Sequence, residues 1–222
     1  MQIDMRVMEL LSSKLCHDLV SPVSAINNGV ELIEDVGGSV VEEAMKLIGD
    51  SAQTAARRLR LFRLAYGRAG SEGNIAVRDV RQIAEQYLAG GKITLSWPDG
   101  VPSETIAAQR GYLKTILNMV ILAEESLAYG GVVTLREDGQ GCRIETVGRS
   151  AHLSLPLQEA LEGAVAIDDL TPRSIQAYVT GRFASHFGLK LAHDHSIADR
   201  LDLVLLLPDA IPERAAPLVS VS

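Results

Sequence analysis

The sequence predicts an α+β protein: an N-terminal two-helix hairpin that dimerises into a four-helix bundle, followed by an α/β sandwich. Three observations carry this expectation. Apolar residues recur at steps of three and four over residues 4–66, with a break at Gly37-Gly38. Beyond a glycine-rich stretch at 67–73, helical patterns give way to paired strand patterns without regular βαβ alternation. Aromatic residues make up only 4% of a chain that is 47% hydrophobic, so aliphatic side chains and Met must build the core, as suits packed helices.

The first helix is expected over about 4–36, with Met8, Leu11, Leu15, Leu19, Ile26, Val30 and Ile33 in its seam and Pro22 occupying one place in the series. Paired glycines stop it. Ser39 is the expected N-cap of the second helix, and Glu42 three residues on completes a capping box. This helix runs to about Tyr66 along Val41, Met45, Ile48, Ala52, Ala55, Leu59, Phe62 and Tyr66. Helices of these lengths extend roughly 50 and 40 Å at about 1.5 Å per residue. A lone hairpin cannot bury a two-sided seam, whereas a two-fold dimer can. Residues 1–68 therefore form one expected unit, and 74–208 a second.

In the second unit we expect a helix over 77–88, a strand over 93–97 and a long helix over 109–129. Strands over 132–136 and 142–147 are joined by the hairpin turn Asp138-Gly139-Gln140-Gly141. Helices over 155–162 and 172–187 then precede strands over 189–192 and 201–207. Trp97 is the expected anchor of the sandwich. The tail, 209–222, is punctuated by proline and expected to be flexible.

Composition narrows the function. The formal net charge is -7 and the isoelectric point about 5.3, which argues against nucleic acid as a partner. No apolar run approaches the roughly 20 residues of a membrane span. The N-terminus lacks the pattern of a signal peptide, so a cytoplasmic protein is expected. Cys16 and Cys142 stand far apart in no metal-ligand spacing and read as reduced thiols.

The chemistry concentrates in Leu15-Cys16-His17-Asp18-Leu19-Val20-Ser21-Pro22-Val23. Leu15 and Leu19 flank His17 by two positions on each side. At about 100° per residue, this turns the imidazole about 160° from the apolar stripe. A neutral imidazole facing water is a nucleophile near physiological pH. Asp18 can hold a ring nitrogen or take its proton. Ser21, one turn on, can place a water or a phosphate oxygen. Pro22 lacks an N–H, freeing the carbonyl of Asp18 and bending the helix, and costs about 3 kcal/mol in a helix interior. A lone exposed histidine is as a rule only a surface residue; an acid at the next position and a proline five positions on point instead to a phosphoryl carrier.

The run His17-Asp18-Leu19-Val20-Ser21-Pro22 resembles the H-box of sensor histidine kinases. The longer run from Cys16 through Asn27-Asn28-Gly29 to Leu32 resembles the ChpT-type histidine phosphotransferases of alphaproteobacteria, and the likeness of layout extends over nearly the whole chain. The resemblance implies a homodimeric bundle bearing the phosphorylated His17, followed by a degenerate histidine-kinase ATPase-like domain. It implies a phosphoryl group taken from the receiver domain of a hybrid histidine kinase and passed to response regulators of the CtrA and CpdR kind.

A working kinase of this fold carries an N-box of Asn, three residues, then a metal-coordinating Asn. Here Asn118 is followed at that spacing by Leu122, which offers no oxygen to a hard cation. The adenine-recognising Asp-x-Gly-x-Gly loop is absent, and the later glycine-rich lid is reduced to Gly188-Leu189-Lys190-Leu191. We expect no cofactor on this chain, with Mg²⁺ arriving in the partner receiver. Expected receiver contacts are Cys16, Val20, Pro22, Ser24 and Asn28 on the first helix and Arg60 and Arg63 on the second. Arg57, Arg58, Arg60, Arg63 and Arg68 form a basic cluster that either steers an acidic partner or only complements the helix dipole. His193-Asp194-His195 reads as two rings on opposite faces of a strand, not a metal pair. An ATP-dependent kinase with an unusual site and a receiver-binding scaffold without chemistry stand as alternatives.

Overall fold

The computed structural model describes residues 4–36, 38–68 and 75–208; the expected linker core at 69–74 and the tail at 209–222 lie outside the described residues. Helix α1 spans Met5–Asp35, and its Asp4 cap accepts a hydrogen bond from the Arg6 N–H at 2.8 Å. It continues through Pro22, whose ring is buried. A 3-10 turn at Gly38–Val40 leads into α2, Val41–Ala65. The side chain of Ser39, the expected N-cap of α2, lies outside the described residues. The 3-10 turn moves the cap to Val40, no side chain caps it, and Glu42 and Glu43 instead place acidic charge on the first turn.

The two helices approach closely at Gly29. A Cβ there would lie 2.6 Å from Ile48 Cγ1 and 3.3 Å from the Ala44 carbonyl oxygen. Ala44 and Ser51 are buried, whereas Met45, Ala52 and Leu59, expected in the seam, are exposed. The expected α2 seam thus merges two apolar stripes roughly a quarter-turn apart, of which one hairpin can cover only one.

The remaining elements are α3 (Val77–Leu88), β1 (Ile93–Ser96), α4 (Glu104–Ala107), α5 (Tyr112–Ser126), β2 (Gly131–Glu137), β3 (Gly141–Val147), α6 (Leu155–Glu162), α7 (Ile175–His186), β4 (Lys190–Asp194) and β5 (Arg200–Leu206). Every expected strand is present, and the fold is of the α+β class. The five-stranded sheet has the order β1-β2-β3-β5-β4, with β1 and β2 parallel and the other neighbours antiparallel. The 138–141 turn forms as expected: Asp138 accepts from the Gln140 N–H, and Gly139 has φ +83°.

The long helix expected from 109 begins at Tyr112. Gly111 precedes it with φ +75°, and a Cβ there would stand 2.1 Å from Cδ2 of Phe187. The helix expected from 172 begins at Ile175, because reciprocal bonds between the Thr171 and Ser174 backbones and hydroxyls hold a turn there. Helix α4 and a 3-10 turn at Ile167–Asp169 are additions that periodicity did not reveal, being too short to repeat a pattern.

Helices α3, α5 and α7 pack on the sheet. Val133, Leu135, Cys142, Ile144, Leu201 and Leu203 fill the layer between, each at most 1% exposed. Burial pushes the Cys142 thiol up to about 12, and Trp97 is buried as expected. The other sheet face carries an ion ladder. Asp202 accepts from both Arg143 and Arg200, and Arg200 also lies 2.9 Å from Glu145.

The C-terminal end of α2 is part of this second core. Leu61, Phe62, Leu64 and Ala65 belong to the same buried cluster as α5 and α7. Polar clamps reinforce the junction. Asn118 on α5, fully buried, donates to the Ala65 carbonyl at 2.8 Å, and Gln176 on α7 donates to the Asn118 side chain at 3.3 Å. The Tyr66 hydroxyl donates to Gln176 at 2.5 Å, and Lys114 caps α2 through the Tyr66 and Gly67 carbonyls at 3.2 and 2.8 Å. At the same open end of the hairpin, from the start of α1, Arg6 donates to the Ile167 and Leu170 carbonyls.

Two substitutions test this packing by urea unfolding. Gly29→Leu should cost about 1–3 kcal/mol by forcing α1 and α2 apart. Asn118→Leu, similar in volume, should cost about 1–3 kcal/mol because the Ala65 carbonyl loses its side-chain donor in a dry core.

Candidate functional site

His17 stands where the angular argument places it. Its side chain is 89% exposed, while Leu15 and Leu19 pack against the core. The Nδ1 atom lies 3.5 Å from Asp18 Oδ1, a long contact. A proton shared on that side leaves the Nε2 lone pair facing solvent.

Asp18 is held far more tightly than the histidine. Lys14, one turn earlier on α1, lies 3.2 Å from Asp18 Oδ2 and 2.5 Å from Oε1 of Glu125 on α5. Burial works against the Lys14 charge, but Glu125 and then Asp18 outweigh it and raise its pKa above the ordinary value. Burial raises Glu125 above the ordinary carboxylate range, with Lys14 opposing. Pro22 cannot donate to the Asp18 carbonyl four residues back. That carbonyl accepts instead from Arg58 Nη1 on α2 at 2.8 Å, and the same nitrogen is 4.0 Å from Asp18 Oδ1. Arg58 and the Lys14–Glu125 pair were not among the residues singled out as site members from sequence. The Lys14–Asp18 spacing of four was visible; the approach of Glu125, over a hundred residues away, was not.

The other expected site residues divide by exposure. Cys16, Val20, Ser21, Ser24 and Asn28 are exposed on α1. Ser21 borders a shallow groove of about 250 Å³ with Ala25, Asp50, Thr54 and Arg58. Pro22, expected to touch a receiver, is buried at the edge of the same groove; its ring packs inward and its contribution is the freed carbonyl. Arg60 and Arg63 are exposed on α2, and Arg60 reaches Gln86 of α3 at 3.4 Å. Arg57 is engaged by the Ala89 carbonyl at 3.1 Å and by Gln53 at 2.9 Å, so the basic cluster is partly structural. A polar groove of about 620 Å³ opens beside the Asp18 turn, bordered by Lys14, Asp18, Arg58, Lys92 and Glu124.

Elsewhere one expectation fails. The His193 and His195 rings do not point to opposite faces; they stack with centroids 5.6 Å apart and 18° between planes. Residues two apart along a strand share a face, so alternation itself brings the two rings to one side. His193 Nε2 contacts Glu162 at 3.0 Å, and His195 meets Gln158. Among the described residues no group of three His, Cys, Asp or Glu side chains is arranged to hold a metal ion. No described helix is long and apolar enough to cross a membrane.

Comparison with known proteins identifies the family. Residues 77–199 match the model of the histidine phosphotransferase C-terminal domain. The chain is 33% identical to the protein phosphotransferase ChpT of Brucella abortus (strain 2308) over 188 residues, covering 82% of this chain and 87% of that protein. A bacterial phosphotransferase of known structure aligns with a TM-score of 0.72 and 29% identity, covering 92% of this chain and 98% of that one. The Acinetobacter baumannii histidine kinase AdeS aligns with a TM-score of 0.44 at 12% identity, over 87% of this chain and 98% of that one. The relationship therefore spans both the helical hairpin with its exposed histidine and the sheet domain behind it, and the chain belongs to the histidine phosphotransferases.

Proposed function

We propose that His17 is the phosphoryl carrier of a multistep phosphorelay, loaded by the receiver domain of a hybrid histidine kinase and unloaded onto response regulators of the CtrA and CpdR kind. The observation that carries this reading is the imidazole at 89% exposure with a restrained carboxylate on its Nδ1 side. Nε2 attacks the phosphorus of the receiver's aspartyl phosphate. The N–P bond forms as the acyl phosphate P–O bond breaks, and the receiver carboxylate leaves with its electron pair. The Nδ1 proton is stabilised by Asp18 or passed to it, and Ser21 is placed to hold a phosphate oxygen or a water. The reverse sequence returns the group to another aspartate. Such transfer needs alignment and charge neutralisation above all, and the receiver's acidic pocket brings the Mg²⁺.

The same reading makes this an ATP-independent enzyme. Its support is that Asn118 is bound inside the domain junction and that Leu122, 1% exposed, stands where a metal-binding asparagine would be needed. Cys16, Val20, Ser24, Asn28, Arg60 and Arg63 are the proposed receiver contacts. The chain works as a cytoplasmic homodimer, in which Val20, Val23, Met45 and Leu59, all between 47% and 59% exposed, supply apolar surface for a four-helix bundle or the docked receiver.

A hybrid-kinase receiver carrying labelled phosphate, with Mg²⁺, should load acid-labile label onto the wild type and not onto His17→Ala. Label on His17→Ala overturns the site; label from ATP alone favours the kinase alternative. Binding without transfer by the wild type favours the scaffold. In light scattering the wild type should have twice the 23.9 kDa of one chain, and Leu59→Lys should shift it towards that single mass.

A further inference from the structure

Resting on the carrier reading of His17, we propose that Arg58 and the Lys14–Glu125 pair are positioning residues for phosphoryl transfer, and that Glu125 is the sheet domain's own contribution to the site. Asp18 has two groups to be restrained, a carboxylate and a backbone carbonyl, and different elements restrain each. Pro22 leaves the carbonyl without an intrahelical donor, and Arg58 of α2 supplies one at 2.8 Å. Since the next carbonyl up the chain belongs to His17, the local path of α1 at this bond sets the direction of the imidazole. Arg58 therefore anchors the turn whose hydrogen bond Pro22 leaves open.

Lys14 and Glu125 act on the carboxylate. A lysine four residues before an aspartate on an open helix surface moves freely among rotamers. Here its side chain is 13% exposed and Glu125 draws it away to α5, so it bridges two acids in place of neutralising one. Asp18 keeps enough negative charge to accept from His17 Nδ1 while one oxygen stays anchored. Without Glu125, Lys14 would pair with Asp18 alone and weaken its hold on the imidazole. Glu124, adjacent on α5, is engaged by the Tyr87 hydroxyl and does not substitute for it. Neither Arg58 nor Glu125 needs to touch the incoming phosphoryl group.

The test is transfer from a phosphorylated hybrid-kinase receiver measured across receiver concentration, using the full chain. Arg58→Met and Glu125→Gln should each lower kcat by about tenfold while KM stays within about twofold. Arg58→Lys, which keeps a donor for the Asp18 carbonyl, should recover most of the lost kcat. A raised KM at unchanged kcat would make Arg58 a docking contact and overturn the proposal, as would unchanged kinetics in both variants. Equal loss in Arg58→Lys and Arg58→Met, with intact circular dichroism, would also overturn it. A wild type that takes no label from any receiver would refute the carrier reading itself, an outcome separate from these.

Discussion

The arrangement around His17 depends on one backbone carbonyl. Pro22 removes the N–H that would have closed the helical turn onto Asp18, and a buried carbonyl without a partner costs about 1–3 kcal/mol. Arg58, arriving from the antiparallel helix, satisfies it at 2.8 Å. The bond therefore lies across the hairpin, not along it, and it fixes the register of α2 against α1 at the level of the site. A second fixed point lies three turns further along α1, where Gly29 lets Ile48 and Ala44 come close. Between the two, α1 cannot rotate without losing one of them, so the outward direction of His17 is a consequence of hairpin packing.

The hairpin in turn is not a free arm. The end of α2 is buried in the core of the sheet domain, and its last carbonyls are taken by Asn118 and Lys114. Burial pulls the Lys114 ammonium down to about 8, and the acceptors around it hold a charge that the apolar core would otherwise expel. The junction fixes the end of α2 against α5 and α7. Glu125 sits two turns past Asn118 on the same helix that grips α2, and from there it meets Lys14 at 2.5 Å.

Much of this was legible in the sequence because it follows from local periodicity. The exposure of His17 came from two leucines at fixed angular offset, and the strand pairs from alternation bounded by Asp138-Gly139. What was not legible depends on which of several surfaces meet. The α2 seam looked continuous because Met45, Ala52 and Leu59 share its spacing; only packing shows that the hairpin covers a neighbouring stripe. Pro22 fits both a seam position and a receiver contact by sequence, and its buried ring agrees with the first. The His193–His195 stacking was legible after all, because positions two apart on a strand share a face, against the expectation of opposite faces. Glu125 carries no signal at all, being one acid among many until the fold brings α5 beside α1.

The charge distribution follows the same division between holding and docking. With a formal net charge of -7, the chain as a whole repels an acidic partner, so any attraction must be local. Of the arginines on α2, Arg57 and Arg58 are committed to carbonyls and Arg60 leans on Gln86 from an exposed position. The inner two therefore keep the helices in place, and the outer residues, Arg60 and Arg63, present charge to solvent. An exposed cation adds little affinity but speeds and orients encounter, whereas a desolvated one restrains geometry. Both kinds stand on one helix within two turns of each other, the inner arginines holding neighbouring backbone and the outer ones facing solvent.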